Sequence, residues 1–292
     1  MRWVLDADIQ SFFDRISHEW LIRFVEHRIA DRRVIRLIQK WLKAGLFEDG
    51  IAVETTQGTP QGAVISPLLA NMYLHYVYDL WAQQWRKRQS NGDMIVVRYA
   101  DDTIVGFEHR DDAERFLKEL HIRLAQFGLN LHPEKTRLIE FGKYAIDERA
   151  RRGEGKPETF DFLGFTHYCA KARSHSGFKL GRKTQAKRKR AKLRAIRDTL
   201  RRNMHRSIDE QGRWLAAVLR GYFAYFAVPD NSPALSAFRQ QVKERWLRTL
   251  RRRSQRSTLT YERMQFIVDR YLPQPRVLHP WPEQRFLVTH ST

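Results

Sequence analysis

Two periods of hydrophobicity organise the first half of the chain. Trp3 to Asp8 is a short apolar run that predicts a strand, and Ile95–Tyr99 and Thr103–Phe107 are β-branched-rich runs separated by Ala100, Asp101 and Asp102. Two such runs around a short polar break predict a hairpin with the acidic pair at its tip. From His18 to Leu46, apolar residues including Leu21, Phe24, Val25, Ile29, Val34, Ile38 and Leu42 recur with helical spacing. A further helix opens at Asp111 with Glu114 three residues on, in the manner of a capping box. It carries Ala113, Phe116, Leu120, Leu124 and Phe127 on one face and closes at Gly128. Strand, helices, hairpin and helix in that order predict an α+β fold with an antiparallel sheet.

The second half has a different pattern. Lys143 to Thr159 is charged, contains Gly153, Gly155 and Pro157, and lacks an apolar period, so it reads as a loop with a domain boundary a little beyond it. Thr184 to Arg202 has helical spacing through Leu193, Ile196 and Leu200, while its other faces are almost entirely Lys and Arg. Trp214 to Phe226 is an aromatic helix in which Trp214, Val218, Tyr222 and Tyr225 read as core. Phe238 to Arg253 is again basic, with Trp246 and Leu250 as apolar anchors.

Composition narrows the function classes. In 292 residues, 53 Lys and Arg stand against 33 Asp and Glu, a formal charge of +20. An apolar content of 42% argues against wholesale disorder. Neither a membrane-spanning run nor a signal-peptide core is visible, and the single cysteine, Cys169, cannot form an internal disulfide. A cytoplasmic protein with a polyanionic partner and no membrane role is the expectation, with nucleic acid the first choice of partner. In 182–202, eleven basic side chains face one acid, Asp198. Like charges at that density repel unless a polyanion neutralises them, which nominates Lys187, Arg188, Lys189, Arg190, Arg194 and Arg197 as nucleic-acid-binding residues; the plainer reading is a solvated helix face. The histidines and Cys169 have no zinc-ligand spacing.

The acidic residues suggest chemistry. If the strand ending at Asp8 neighbours the hairpin carrying Asp101 and Asp102, three carboxylates converge at one rim of a sheet. A few carboxylates with positions left open for water and phosphate suit Mg²⁺. Two such ions can clamp the attacking and leaving oxygens of a phosphoryl transfer. On turn statistics alone, Asp-Asp is simply a good turn pair.

The order of motifs goes further. Trp3–Asp14 (WVLDADIQSFFD), Gln57–Asn71 (QGTPQGAVISPLLAN), Arg98–Asp102 (RYADD), Gly128–Thr136 (GLNLHPEKT) and Phe160–Phe165 (FDFLGF) occur in sequence. This series closely resembles the reverse transcriptases encoded by bacterial group II introns. The resemblance implies a right-hand polymerase palm over residues 1–170, with 143–159 as a loop, and a mainly helical thumb/maturase domain over 171–292. It implies an RNA-directed DNA polymerase that also binds intron RNA and promotes splicing, acting on an RNA template, a DNA primer and deoxynucleoside triphosphates. Asp8, Asp101 and Asp102 are the implied catalytic ligands of two Mg²⁺ ions. Phe13 matches the bulky residue beneath the incoming sugar, although core packing beside Phe12 is the competing role. Gln61 and Gly62 are implied nucleotide and template contacts. Lys135 stands either near the leaving pyrophosphate or in a solvated loop.

Two departures shape the expectation. The resemblance begins inside the first catalytic strand, so the fingers region is missing from it, and the His-Asn and paired-Cys pattern of the endonuclease that some members append is absent. A non-polymerising RNA-binding maturase, or an inactive remnant, is therefore the alternative to a polymerase.

Overall fold

The computed structural model describes residues 1–43, 47–48, 51–52, 57–59, 64–171, 177–253 and 259–281. Contacts divide the chain into two units, Met1–Glu158 with Cys169–Lys179 and Thr159–Tyr168 with Leu180–Thr292.

The first unit begins with β1 (Trp3–Ala7), α1 (Phe12–Arg15), α2 (His18–Glu26) and α3 (Arg32–Lys43), followed by the two-residue strands β2 (Phe47–Glu48) and β3 (Ile51–Ala52). Helix α4 (Ser66–Leu74) runs through a π-helical turn at His75–Asp79 into α5 (Leu80–Arg88). The hairpin β4 (Met94–Tyr99) and β5 (Asp102–Phe107) follows, then α6 (Arg110–Ala125), β6 (Arg137–Glu140) and α7 (Ala145–Arg151). Strands β4, β5, β1 and β6 form one sheet in that order, with every neighbour antiparallel. This is the antiparallel α+β arrangement that the sequence pattern predicts.

Alternation along the strands creates two faces. Inward, Leu5, Val105 and Phe107 are fully buried with Trp85 of α5 and Phe116 of α6. The rings of Phe107 and Phe116 lie 5.4 Å apart and those of Trp85 and Phe116 lie 5.1 Å apart. Burying each such side chain contributes about 1.5–3 kcal/mol. On the other face of β4, Ile95, Val97 and Tyr99 are exposed.

One local expectation is refined and two change. The helical spacing that begins at His18 is carried by two helices, α2 and α3, because the chain turns at His27–Asp31 and Asp31 Oδ1 accepts the Arg33 amide at 2.8 Å to start α3. The 143–159 loop contains α7, held by buried Ala145, and Arg152 beyond it bridges Glu140 and Glu154. The capping box at Asp111 and Glu114 does not form. Helix α6 starts at Arg110 with His109 as N-cap, and the neighbouring Asp112 turns away to accept the backbone amides of Asn91 at 2.9 Å and Gly92 at 3.2 Å. Burial raises the Asp112 pKa, but those amides and Arg115 outweigh it and hold the carboxyl below its ordinary range.

Strands β7 (Phe160–Phe162), β8 (Phe165–Lys171) and β9 (Phe178–Thr184) make a second sheet in that order. In the second unit they are followed by α8 (Ala186–Arg202), α9 (Ile208–Phe226), α10 (Ser232–Arg251) and α11 (Tyr261–Tyr271). Leu193, Ile196 and Leu200 are the buried stripe of α8, as their spacing predicts. They join Leu219 and Tyr222 of α9, Phe238 and Trp246 of α10, and Met264 and Val268 of α11 in one core. Tyr222 stacks on Phe238 at 3.7 Å, and the indole of Trp246 donates to Gln211 Oε1 at 2.8 Å. Ser207 and Glu210 form a reciprocal capping box at the start of α9. Tyr225 is not core: it is 51% exposed, and its hydroxyl donates to the Leu163 carbonyl at 2.8 Å.

Candidate catalytic site and nucleic-acid interface

The rim of the first sheet assembles four of the five motif blocks. Ala7 of β1 pairs with Thr103 of β5, so Asp8 directly follows, and Asp102 directly precedes, the last pair of that ladder. Tyr99 pairs with Asp102, which leaves Ala100 and Asp101 as a two-residue turn. Ala100 takes a φ of 53°, and Asp101 sits at the hairpin tip beside Asp102.

The end of β1 is tied to the Gly128–Thr136 block. The Asp8 carbonyl accepts the His132 amide at 2.8 Å, and Gln10 N donates to the Asn130 carbonyl at 2.9 Å. This brings Lys135 Nζ to 3.2 Å from Asp8 Oδ2. Lys135 therefore rests as the counter-ion of Asp8, a pairing that its sequence position did not reveal. Among the described residues, no group of three or more Asp, Glu, His or Cys side chains is gathered closely enough to hold a metal ion. The donor chemistry of Asp8, Asp101 and Asp102 suits a hard divalent cation.

Phe13 lies on the short helix α1, half-buried against the core, with its ring 5.3 Å from that of Phe12. Its carbonyl accepts the Thr59 amide at 2.8 Å, and the Gly58 amide donates to the Ile16 carbonyl at 2.8 Å. Gly58 has a φ of +88°, and a Cβ there would meet the Asp14 carbonyl oxygen at 3.0 Å. The glycine lets the segment Gln57–Thr59 lie directly on α1. Asp14 belongs to the first turn of α1 and is not its cap; the N-cap position is Ser11, in a left-handed conformation. Gln61 and Gly62 lie outside the described residues.

A residue missed in the sequence holds these blocks together. Arg98, at the end of β4, donates from Nε and Nη2 to Asp79 at 2.7 and 2.6 Å, and from Nη1 to Asn71 Oδ1 at 3.0 Å and the Ala100 carbonyl at 2.8 Å. It thus fastens the acidic turn to α4 and to the π-helical turn, an irregularity common at functional sites.

In the second unit, the six nominated basic residues all lie on α8. Lys189 is half-buried, while Lys187, Arg188, Arg190, Arg194 and Arg197 are exposed. Among the described residues no helix is long and apolar enough to cross a membrane.

Residues 1–167 match the family model for reverse transcriptase (RNA-dependent DNA polymerase). The chain is 31% identical over 189 residues to protein YkfC of Escherichia coli, an alignment covering 52% of this chain and 49% of YkfC. It is 47% identical over 74 residues to the group II intron-encoded protein LtrA of Lactococcus lactis, covering 25% of this chain and 12% of LtrA. The chain thus spans half or less of the length of these relatives. Among solved structures, apo telomerase from Candida tropicalis superposes with a TM-score of 0.47 and 12% identity, covering 99% of this chain and 50% of the telomerase.

Proposed function

The chain belongs to the reverse transcriptase (RNA-dependent DNA polymerase) family, and from that premise we propose that it carries the palm and thumb of a group II intron-type polymerase that copies RNA into DNA and binds intron RNA to aid its splicing. The observation that supports this reading is the Ala7–Thr103 strand pair, whose chain neighbours are Asp8 and Asp102, with Asp101 in the turn beside them. The similarity to an intron-encoded protein supports the intron as the RNA concerned.

In this reading Asp8, Asp101 and Asp102 hold the metal. When bound, a pair of Mg²⁺ ions supplies charge stabilisation at the attacking and leaving oxygens of the transferred phosphoryl group. The protein's own part is positioning, which supplies most of the catalysis in phosphoryl transfer. Arg98 fixes the carboxylate-bearing turn. Lys135, paired with Asp8, carries the ammonium group that would stand near the anionic triphosphate. Phe13 underlies the sugar and excludes a 2′-hydroxyl, Gln61 and Gly62 touch nucleotide and template, and the basic face of α8 tracks RNA phosphates.

A second reading, an RNA-binding maturase without polymerase activity, takes the Lys135–Asp8 ion pair as a purely structural contact. Primer extension on an RNA template separates the two. Polymerase action predicts that Asp8→Asn or Asp101→Asn abolishes extension while RNA affinity stays within a few-fold of the parent. Extension by either variant at the parental rate removes the catalytic assignment, and a parent that binds RNA but never extends a primer favours the second reading.

A further inference from the structure

Helices α8 and α10 pack side by side, and a cleft of about 420 Å³ opens along their seam. Five arginines line it: Arg197 and Arg201 from α8, Arg245 and Arg248 from α10, and Arg252 from the C-cap of α10. Helix geometry explains the alignment. Arg190, Arg194, Arg197 and Arg201 recur at i, i+4, i+7 and i+11, so they share one face that flanks the buried Leu193, Ile196 and Leu200 stripe. At 1.5 Å per residue that row is roughly 16 Å long. Arg245, Arg248 and Arg252 repeat the spacing along the facing helix.

Little within the fold compensates this charge. Arg197 pairs with its neighbour Asp198 at 2.9 Å, and Glu244 adds one negative charge beside Arg245. Among the described residues, no carboxylate forms a salt bridge with Arg201, Arg245, Arg248 or Arg252. Arg245 is half-buried, with Nη1 donating to the Gln241 carbonyl at 2.9 Å. Burial, aided by the charges of Arg248 and Arg197, draws its pKa below the ordinary guanidinium value. Free protein therefore carries a repulsive cost in this cleft that an entering anion would relieve.

We propose that the arginine cleft between α8 and α10 seats the phosphodiester backbone of RNA, gripped by guanidinium forks from both helices. The proposal rests on the RNA-binding part of the reading above and places its main contact in a cleft that includes four arginines outside the six nominated from sequence. Guanidinium forks match phosphate oxygens bidentately. The row continues out of the cleft along α8 through Arg194 and Arg190, so it forms a track suited to a chain of phosphates rather than to a single small anion.

The test measures binding of a fluorescently labelled RNA stem-loop to the full chain across a salt series. The double variant Arg245→Gln/Arg248→Gln should bind on the order of tenfold more weakly at low salt. Its slope of log affinity against log salt should fall by roughly 1.4–1.8, because each lost phosphate contact removes about 0.7–0.9. Its thermal midpoint without RNA should equal or exceed the parent's, since like-charge repulsion is relieved; a purely structural role would lower it. Arg201→Gln, exposed on the opposite wall, repeats the test with one contact and little risk to folding. Equal affinity and slope in parent and variants overturns the proposal, as does an equal loss in the charge-matched control Lys87→Gln/Arg88→Gln. Because binding is read without primer extension, a chain with no polymerase activity would still decide the question.

Discussion

Arg98 and Asp79 form a two-pronged ion pair, with Nε and Nη2 donating to the two carboxylate oxygens at 2.7 and 2.6 Å. The Arg98 side chain is only 13% exposed, so water screens the pair weakly. The third nitrogen, Nη1, is left to hold both Asn71 and the Ala100 carbonyl, one residue before Asp101. Asn71 Nδ2 in turn donates to the Pro67 carbonyl near the start of α4 at 3.0 Å. One guanidinium therefore links the Gln57–Asn71 and Arg98–Asp102 blocks.

Arg98→Lys keeps the charge but cannot serve three acceptors with a rigid fork. It should lower unfolding free energy by at least about 1.5–3 kcal/mol in urea titration, the contribution of a single hydrogen bond to a charged group, because more than one is lost. Primer extension should slow by roughly tenfold, the equivalent of about 1.4 kcal/mol at the transition state. Parental rate and stability together would show that the turn is held without Arg98.

Phe13 serves two interests that one substitution can separate. Its ring is half-buried beside Phe12, so Phe13→Ala should cost about 1–3 kcal/mol in stability, less than a fully buried Phe. If the ring also excludes a 2′-hydroxyl, the ratio of ribonucleotide to deoxynucleotide incorporation should rise on the order of tenfold or more. A stable, active variant with unchanged discrimination would leave Phe13 a packing residue only.

How much was legible in the sequence varied with the range of the interaction. The hairpin around Ala100 and Asp101, the end of α6 at Gly128, and the α8 stripe of Leu193, Ile196 and Leu200 all follow from period and turn chemistry, which act over a few residues. The pairing of Lys135 with Asp8 and the clamp of Arg98 on Asp79 did not, because sheet register and a π-helical turn create them between distant positions. The break at His27–Asp31 does not show in the apolar spacing, which continues across it, and depends on the Asp31 side chain that caps α3. Tyr225 has core spacing yet lies at the surface, where its ring stacks on Phe165 at 5.9 Å. Arg245, Arg248 and Arg252 stood in a segment recognised as basic, but their convergence with α8 needed the packing of two helices.

His167 gives the second unit a predictable pH response. Its ring lies flat on that of Phe160, 4.8 Å away and inclined by 4°. Burial and then the nearby charge of Arg182 lower its pKa from 6.5 to about 4, so folded protein resists protonating it. The unfolded chain takes up the proton first as pH falls. Stability contributed by the neutral ring is thus fully present above pH 6.5 and is lost progressively between pH 6.5 and about 4. Asp112 acts later, because the amides and guanidinium that hold its carboxyl below the ordinary carboxylate range place its contribution to acid unfolding at lower pH still. His167→Phe preserves the stacked aromatic surface while removing the titrating group. The urea denaturation midpoint of the parent should therefore fall more steeply than that of the variant between pH 6.5 and about 4. Parallel curves through that window would show that His167 protonates equally in folded and unfolded chains.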